Sequence, residues 1–288
     1  PPSIVLVLVG DIVGVPVGDL FMGAVLPGAV LVVLFIAYIL VAAYLRPDIA
    51  PPIPWSEIEG LTHGGLALQV GKALVPPLFL MLAVLGSIFA GIASPTEAAA
   101  VGAVGATVLT IVNRRFNLEI LRGVMTQTMN LTCMVFIILC GAAAFGLVFR
   151  GLGGDHLVRG FLGGIGHAYS HYMVLFIVMT VIFVVGFFLD FIEITFIHVP
   201  VLAPVMIEFG FDPLWLCVLI AVNLQTSFMT PPFGFSLFYL KAVTPPEIST
   251  GHIYRGIIPF VVFQLVGLGA VVAFPILVTW LPRVVFGS

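Results

Sequence analysis

Five side chains that can offer oxygen to a cation, Asn223, Gln225, Thr226, Ser227 and Thr230, fall within the stretch NLQTSFMTPPFGFSLFY at 223–239. They sit in an uncharged run from Pro213 to Leu240 that is long enough to cross a bilayer. None of the five ionises, so what they can supply is neutral ligation. Pro231 and Pro232 follow at once; each lacks an amide hydrogen and crowds the preceding turn, which predicts that Ser227 to Thr230 leave helical geometry. Irregular backbone at membrane depth is tolerated only where protein or a wet cavity receives its polar groups. A broken helix presenting carbonyls and hydroxyls near the midplane is how secondary transporters hold Na⁺ or H⁺ beside a solute. The plainer alternative is a proline kink whose hydroxyls bond back to their own helix.

A second group of candidates lies upstream. As one helix, residues 171–208 would run roughly 57 Å, nearly twice the hydrocarbon thickness. A re-entrant hairpin resolves the excess, with its tip at Gly186 to Glu193 reaching toward the break at Thr226 to Pro231. Asp190 and Glu193 are then carboxylates at depth, where an ionisable group is a functional hypothesis by default. Asp190 suits equally well as the cap of the hairpin's second arm. Ser94, Pro95 and Glu97 have capping-box spacing, with proline at the first helical position, and predict a tight reversal between two spans. His156, His167 and His171 lack metal-ligand spacing.

The elements that must position these groups follow from hydropathy. The 288 residues are 61% hydrophobic and 8% charged with mean hydropathy +1.26, which describes an all-α polytopic membrane protein. Net charge is −3 with no basic stripe, so nucleic acid is not an expected partner; the bilayer is. Cys133, Cys140 and Cys217 lie in apolar runs and are expected as small buried hydrophobes. Spans are predicted at 20–45, 73–93, 95–112, 123–149 and 256–282, with a surface loop at 46–72 carrying an interfacial Trp55 and an interfacial helix within 150–168. A broken helix is predicted at 213–244. Pro1-Pro2 and Pro231-Pro232 each open a short helix followed by a turn and a Pro-containing span, with the later proline 26 and 28 residues on. Residues 1–45 thus read as the end of a first repeat and 73–288 as a second, so that the chain reads as a fragment beginning inside a broken helix. With the 46–72 loop cytoplasmic, seven basic residues fall inside and three outside, and the two repeats are oppositely oriented.

GIASPTEAAAVGAVGA at 91–106 and NLQTSFMTPPFGFSLFYLKAV at 223–243 resemble the large membrane subunit of tripartite ATP-independent periplasmic (TRAP) transporters. The opening PPSIVLVLVGDIVGVPVGDLFMGAVLPG is similar to that subunit's mid-chain segment, and GFFLDFIEITFIHVPVLAPV to its outer hairpin. The resemblance implies an inverted-repeat, elevator-type importer of organic anions in the bacterial inner membrane, coupled to Na⁺ with no other cofactor. It also implies two protein partners, a periplasmic substrate-binding protein and a small membrane subunit. Carried onto this chain, the ion and solute site joins Gly186 and Asp190 of the tip to Asn223, Thr226, Ser227 and Thr230 of the break. The variant NLQTSF with FGFSLFYLK suggests the oxoacid and mannitol-like branch.

The remaining classes fit less well. A dicarboxylate/Na⁺ symporter of the same architecture acting without a binding protein is disfavoured by the SPTEAAA and TPPFGF stretches. An intramembrane enzyme finds no HExxH, no GxGD and no GxSxG. A passive scaffold has no need of two broken helices.

Overall fold

The computed structural model describes residues 3–47, 63–231, 234–245 and 247–287; Trp55, Pro232 and the Pro1-Pro2 pair lie outside them. All regular structure among the described residues is helical. In chain order the helices are α1 (Ile4–Val13), α2 (Val17–Gly23), α3 (Val25–Leu45), α4 (His63–Phe89), α5 (Pro95–Val112), α6 (Leu118–Gly151) and α7 (Gly154–Ala168). They continue as α8 (His171–Val185), α9 (Phe191–Ile197), α10 (Val199–Glu208), α11 (Pro213–Met229), α12 (Phe235–Val243), α13 (Thr250–Ala273) and α14 (Ile276–Phe286).

Among the described residues, five segments are long and apolar enough to cross a bilayer: Val17–Leu45, Val70–Phe89, Pro95–Val112, Leu118–Gly151 and Thr250–Ala273. Their outward faces are apolar, with Leu82 and Ile137 each about 70% exposed, as lipid-facing surfaces require. The chain is a polytopic membrane protein.

Two compact units divide it, one of residues 36–131 and one of residues 1–35 with 132–288. In the first, α4 and α5 pack closely because α5 presents glycines. A Cβ on Gly105 would overlap Leu80, and one on Gly102 would lie 3.3 Å from Val84 Cγ2. The reversal between them is a capping box: Ser94 Oγ accepts from Glu97 N–H, and Ser94 N–H donates to Glu97 Oε2 at 2.7 Å. Pro95 occupies the first helical position, where its missing amide is not needed.

The second unit is built around α11. Eleven of its seventeen residues are buried, on every side of the helix, as expected for a helix apolar all round. It packs against α1, α2, α8, α13 and α14. Trp215 fixes one of these contacts by donating Nε1–H to Val271 O across to α13 at 2.9 Å. Residues 171–208 fold as two arms, α8 and the pair α9 and α10, joined by a turn at Gly186–Leu189. The second arm bends by 55° at His198. Pro200 lies just beyond the bend, where it removes an amide and crowds the carbonyl four residues earlier.

Four expectations need correction. Residues 63–72 are helical, not loop, because no proline interrupts α4 there; the roughly 1 kcal/mol that each of Gly64 and Gly65 costs does not stop propagation. The span expected at 256–282 begins at Thr250 and is cut at Phe274 and Pro275 into α13 and α14. Ser227 to Met229 remain in α11, and Thr230 alone of the expected stretch is extended, at φ −96° and ψ 129°. Only Thr230, directly before Pro231, is forced out of helical geometry, and the Ser227 carbonyl that Pro231 cannot reach accepts from Thr230 N–H instead. Cys133 and Cys140 are exposed on α6, and only Cys217 is buried.

Candidate functional site

The hairpin tip and the broken helix meet at Gly186 and Ser227. Both are buried, and they touch so closely that a Cβ at 186 would lie 2.8 Å from Ser227 Cβ and overlap its hydroxyl. Gly186 is in ordinary right-handed geometry, so glycine is needed there for close approach rather than for backbone freedom. Gly186 follows the last residue of α8, and Ser227 lies in the last turn of α11. The carbonyl ends of two helices therefore converge, each carrying roughly half a negative charge from its aligned peptides.

One level deeper, Asn223 is 1% exposed and donates its amide to Met179 O on α8 at 2.8 Å. That bond ties the first arm of the hairpin to the broken helix. An aromatic pair, Phe191 with Phe228 at 5.9 Å between centroids, joins the second arm to the end of α11.

The hydroxyls are turned inward on their own helix. Thr226 Oγ1 donates to Val222 O at 2.8 Å, Ser227 Oγ to Leu224 O at 2.8 Å, and Thr230 Oγ1 to Thr226 O at 2.7 Å. A hydroxyl has one proton and two lone pairs, so these bonds use the donors and leave oxygen lone pairs for a cation. The same geometry satisfies the proline-kink reading of the hydroxyls. Beyond the break, Gly234 lies against backbone: a Cβ there would sit 3.0 Å from Thr230 O and 2.5 Å from Phe228 O. The chain thus doubles back over carbonyls at the end of α11.

Asp190 is placed differently. It is the N-cap of α9, accepting from Phe191 N–H at 2.8 Å, while Glu193 accepts from Asp190 N–H at 3.3 Å in a reciprocal box. No described hydrogen bond joins Asp190 to α11. Gln225 also departs from its neighbours. It is exposed and lines a separate cavity of about 380 Å³ bounded by α1, α3, α11 and α12, whose other polar linings are Ser3 and Ser236. Among the described residues, no cationic side chain lines it. The structure therefore gathers Gly186, Asn223, Thr226, Ser227 and Thr230, and leaves Asp190 and Gln225 to other tasks. Sequence reasoning missed Met179, whose contribution is a carbonyl, and Gly234. The latter had a visible signal, a glycine between two phenylalanines directly after a proline pair.

No group of three or more His, Cys, Asp or Glu with metal-holding geometry occurs among the described residues.

Residues 1–277 match the family described as the DctM component of the tripartite ATP-independent periplasmic transporter. Among curated proteins the chain is 32% identical over 286 residues to the C4-dicarboxylate TRAP transporter large permease protein DctM of Pseudomonas aeruginosa, covering 99% of this chain and 62% of that one. It is 31% identical to the ectoine/5-hydroxyectoine large permease UehC of Ruegeria pomeroyi, over all of this chain and 65% of the relative. It is 26% identical to the sialic acid TRAP transporter permease SiaT of Haemophilus influenzae, over 98% of this chain and 44% of that one. The chain thus spans less than two thirds of the length of these relatives. A family match across nearly the whole chain, on a helical membrane scaffold with a broken α11 beside a tight hairpin, places it in the family of TRAP transporter large permease subunits.

Proposed function

We propose that this chain carries an ion-binding half of a permease that imports small organic anions, C4-dicarboxylates, 2-oxoacids or similar carboxylates, by symport with Na⁺ across the bacterial inner membrane. A periplasmic substrate-binding protein delivers the solute, and a small membrane subunit braces the permease. The observation that carries this reading is the meeting of two helix carbonyl ends at Gly186 and Ser227, beside hydroxyls whose lone pairs are free of their own donors. Such a spot favours a small cation without needing a carboxylate. Na⁺ held between tip and break draws them together and orders the neighbouring solute cavity, so ion and solute raise each other's affinity reciprocally. With no lysine or arginine lining that cavity, the solute's carboxylate meets Ser3, Gln225 and Ser236.

The test is uptake of a panel of carboxylates, ectoine and sialic acid included, by the complete transporter in proteoliposomes with and without a Na⁺ gradient. Thr226→Val, Ser227→Ala and Thr230→Val are run beside the wild type, each with and without the binding protein. Uptake that requires Na⁺ and the binding protein, and is lost in the variants, is the expected result. Uptake indifferent to Na⁺ or to those hydroxyls refutes the assigned site, and uptake without the binding protein supports a stand-alone symporter.

A further inference from the structure

Two enclosed polar atoms at the bend of the hairpin's second arm take no part in the function proposed above. Thr195 is 0% exposed, yet no hydrogen bond within the described chain reaches its Oγ1, and none reaches the buried Nδ1 of His198. Both depart from a habit of this chain. The buried Thr226 and Thr279 donate to the carbonyl four residues earlier, and His167 Nδ1 pairs with Gly163 O at the same spacing. The side chains of Thr195 and His198 make no such bond to Phe191 O or Ile194 O. Three residues apart, they share one face, with Cβ atoms roughly 5–6 Å from each other. The opposite face belongs to Phe196, Ile197, Pro200 and Val201, which line a cavity against α6. α1 packs against both α9 and α10, and its Leu6 and Val9 are buried.

We infer that the bend binds one water molecule, bridging Thr195 Oγ1 to His198 Nδ1. No direct bond joins the two atoms, and two bonds of about 2.8 Å laid end to end span the separation of neighbouring side chains on one face. A polar group enclosed without a partner is costly, and buried water with two to four partners is the usual remedy. The donors and acceptors fit. A neutral imidazole with its proton on Nε2 offers Nδ1 as an acceptor, and the threonine hydroxyl offers a proton; water accepts from one and donates to the other. A hard cation does not, because it prefers oxygen to an imidazole nitrogen. Thr195 belongs to α9, whereas His198 is the joint itself, its carbonyl accepting from Val201 and Leu202 N–H at the start of α10. The water therefore staples the two helices across the bend, on the face away from Pro200.

The experiment is a cryo-electron microscopy map of the complete transporter at a resolution that shows ordered water, beside thermal melts of wild type, Thr195→Val, Thr195→Ser and His198→Leu. A peak about 2.8 Å from both atoms is expected, kept in Thr195→Ser and lost in Thr195→Val. The melt carries a sign. Removing the hydroxyl from a hydroxyl–water–imidazole bridge strands the His198 nitrogen, so Thr195→Val should lower the melting temperature by about 2–4 °C. Removing a hydroxyl that has no partner would instead raise it. Thr195→Val and His198→Leu together should cost less than the sum of the two, because either alone breaks the bridge. The assignment is overturned by a wild-type map with no peak, by a direct bond from Thr195 to His198 or to Phe191 O, by a higher melting temperature in Thr195→Val, or by strictly additive effects. Na⁺-driven uptake enters none of these readouts.

Discussion

Gly186→Ala is the sharpest perturbation the structure offers. The new Cβ would lie 2.8 Å from Ser227 Cβ, where real contacts begin near 3.4 Å, and would overlap Ser227 Oγ, which is held by Leu224 O. Relief requires either that the tip retreat by several tenths of an ångström or that the serine hydroxyl leave its carbonyl. Overpacking of this kind costs about 1–3 kcal/mol, the second route also forfeiting a hydrogen bond of about 1 kcal/mol. If Na⁺ is held only when tip and break are closed together, that cost falls on Na⁺ affinity, and the half-saturating Na⁺ concentration should rise by about 5- to 150-fold. The assay is initial-rate uptake by the complete transporter as a function of Na⁺, paired with the Na⁺-induced shift in thermal unfolding. Ser227→Gly in the same chain removes both atoms that collide, at about 1 kcal/mol of helix propensity. The double variant should therefore recover the thermal stability lost to the collision, with a coupling energy of about 1–3 kcal/mol in the cycle, while Na⁺ affinity stays low because the Ser227 hydroxyl is gone. Unchanged Na⁺ dependence in Gly186→Ala, or strictly additive effects of the two substitutions, would refute tip closure as the coupling event.

Other perturbations separate structural roles from ionic ones. Gly234→Ala drives a methyl into the Thr230 and Phe228 carbonyls and should cost about 1–3 kcal/mol, read as lowered thermal stability together with lost uptake. Asn223→Leu removes the bond to Met179 O and should destabilise by about 1 kcal/mol, with faster hydrogen exchange in α8 than in α5. Trp215→Phe breaks the tie to Val271 O at a similar cost of about 1 kcal/mol, and Na⁺ affinity should hold because the indole sits three turns from Ser227. Ser94→Ala removes the cap of α5 for about 1 kcal/mol in a melting experiment, again with unaltered Na⁺ dependence.

The hairpin was legible because the 38 mostly apolar residues from 171 to 208 cannot be one span, and the capping boxes because their residues are local in sequence. Asp190 shows the limit of that locality: a buried carboxylate and an N-cap look alike in a string, and only the bond to Phe191 N–H distinguishes them. The extent of the helix break was overstated because two prolines were credited with disturbing a whole turn, whereas the Thr230 amide replaces the bond that Pro231 cannot make. Pro275 was visible but hidden by hydropathy, which runs unbroken from α13 into α14. The contact of Gly186 with Ser227 joins residues 41 positions apart and leaves no periodic trace in the chain.

The bend at His198 acts as a ruler. Straight, the second arm of eighteen residues, 191–208, would be roughly 27 Å long against roughly 22 Å for the fifteen of α8, and one end would protrude. Tilting the seven residues of α9 by 55° shortens their rise to roughly 6 Å, and the arm reaches roughly 22 Å in all. The two arms then have nearly equal reach, each about two thirds of a hydrocarbon thickness. A proline two residues past the bend thereby trims an unequal pair of helices to equal reach.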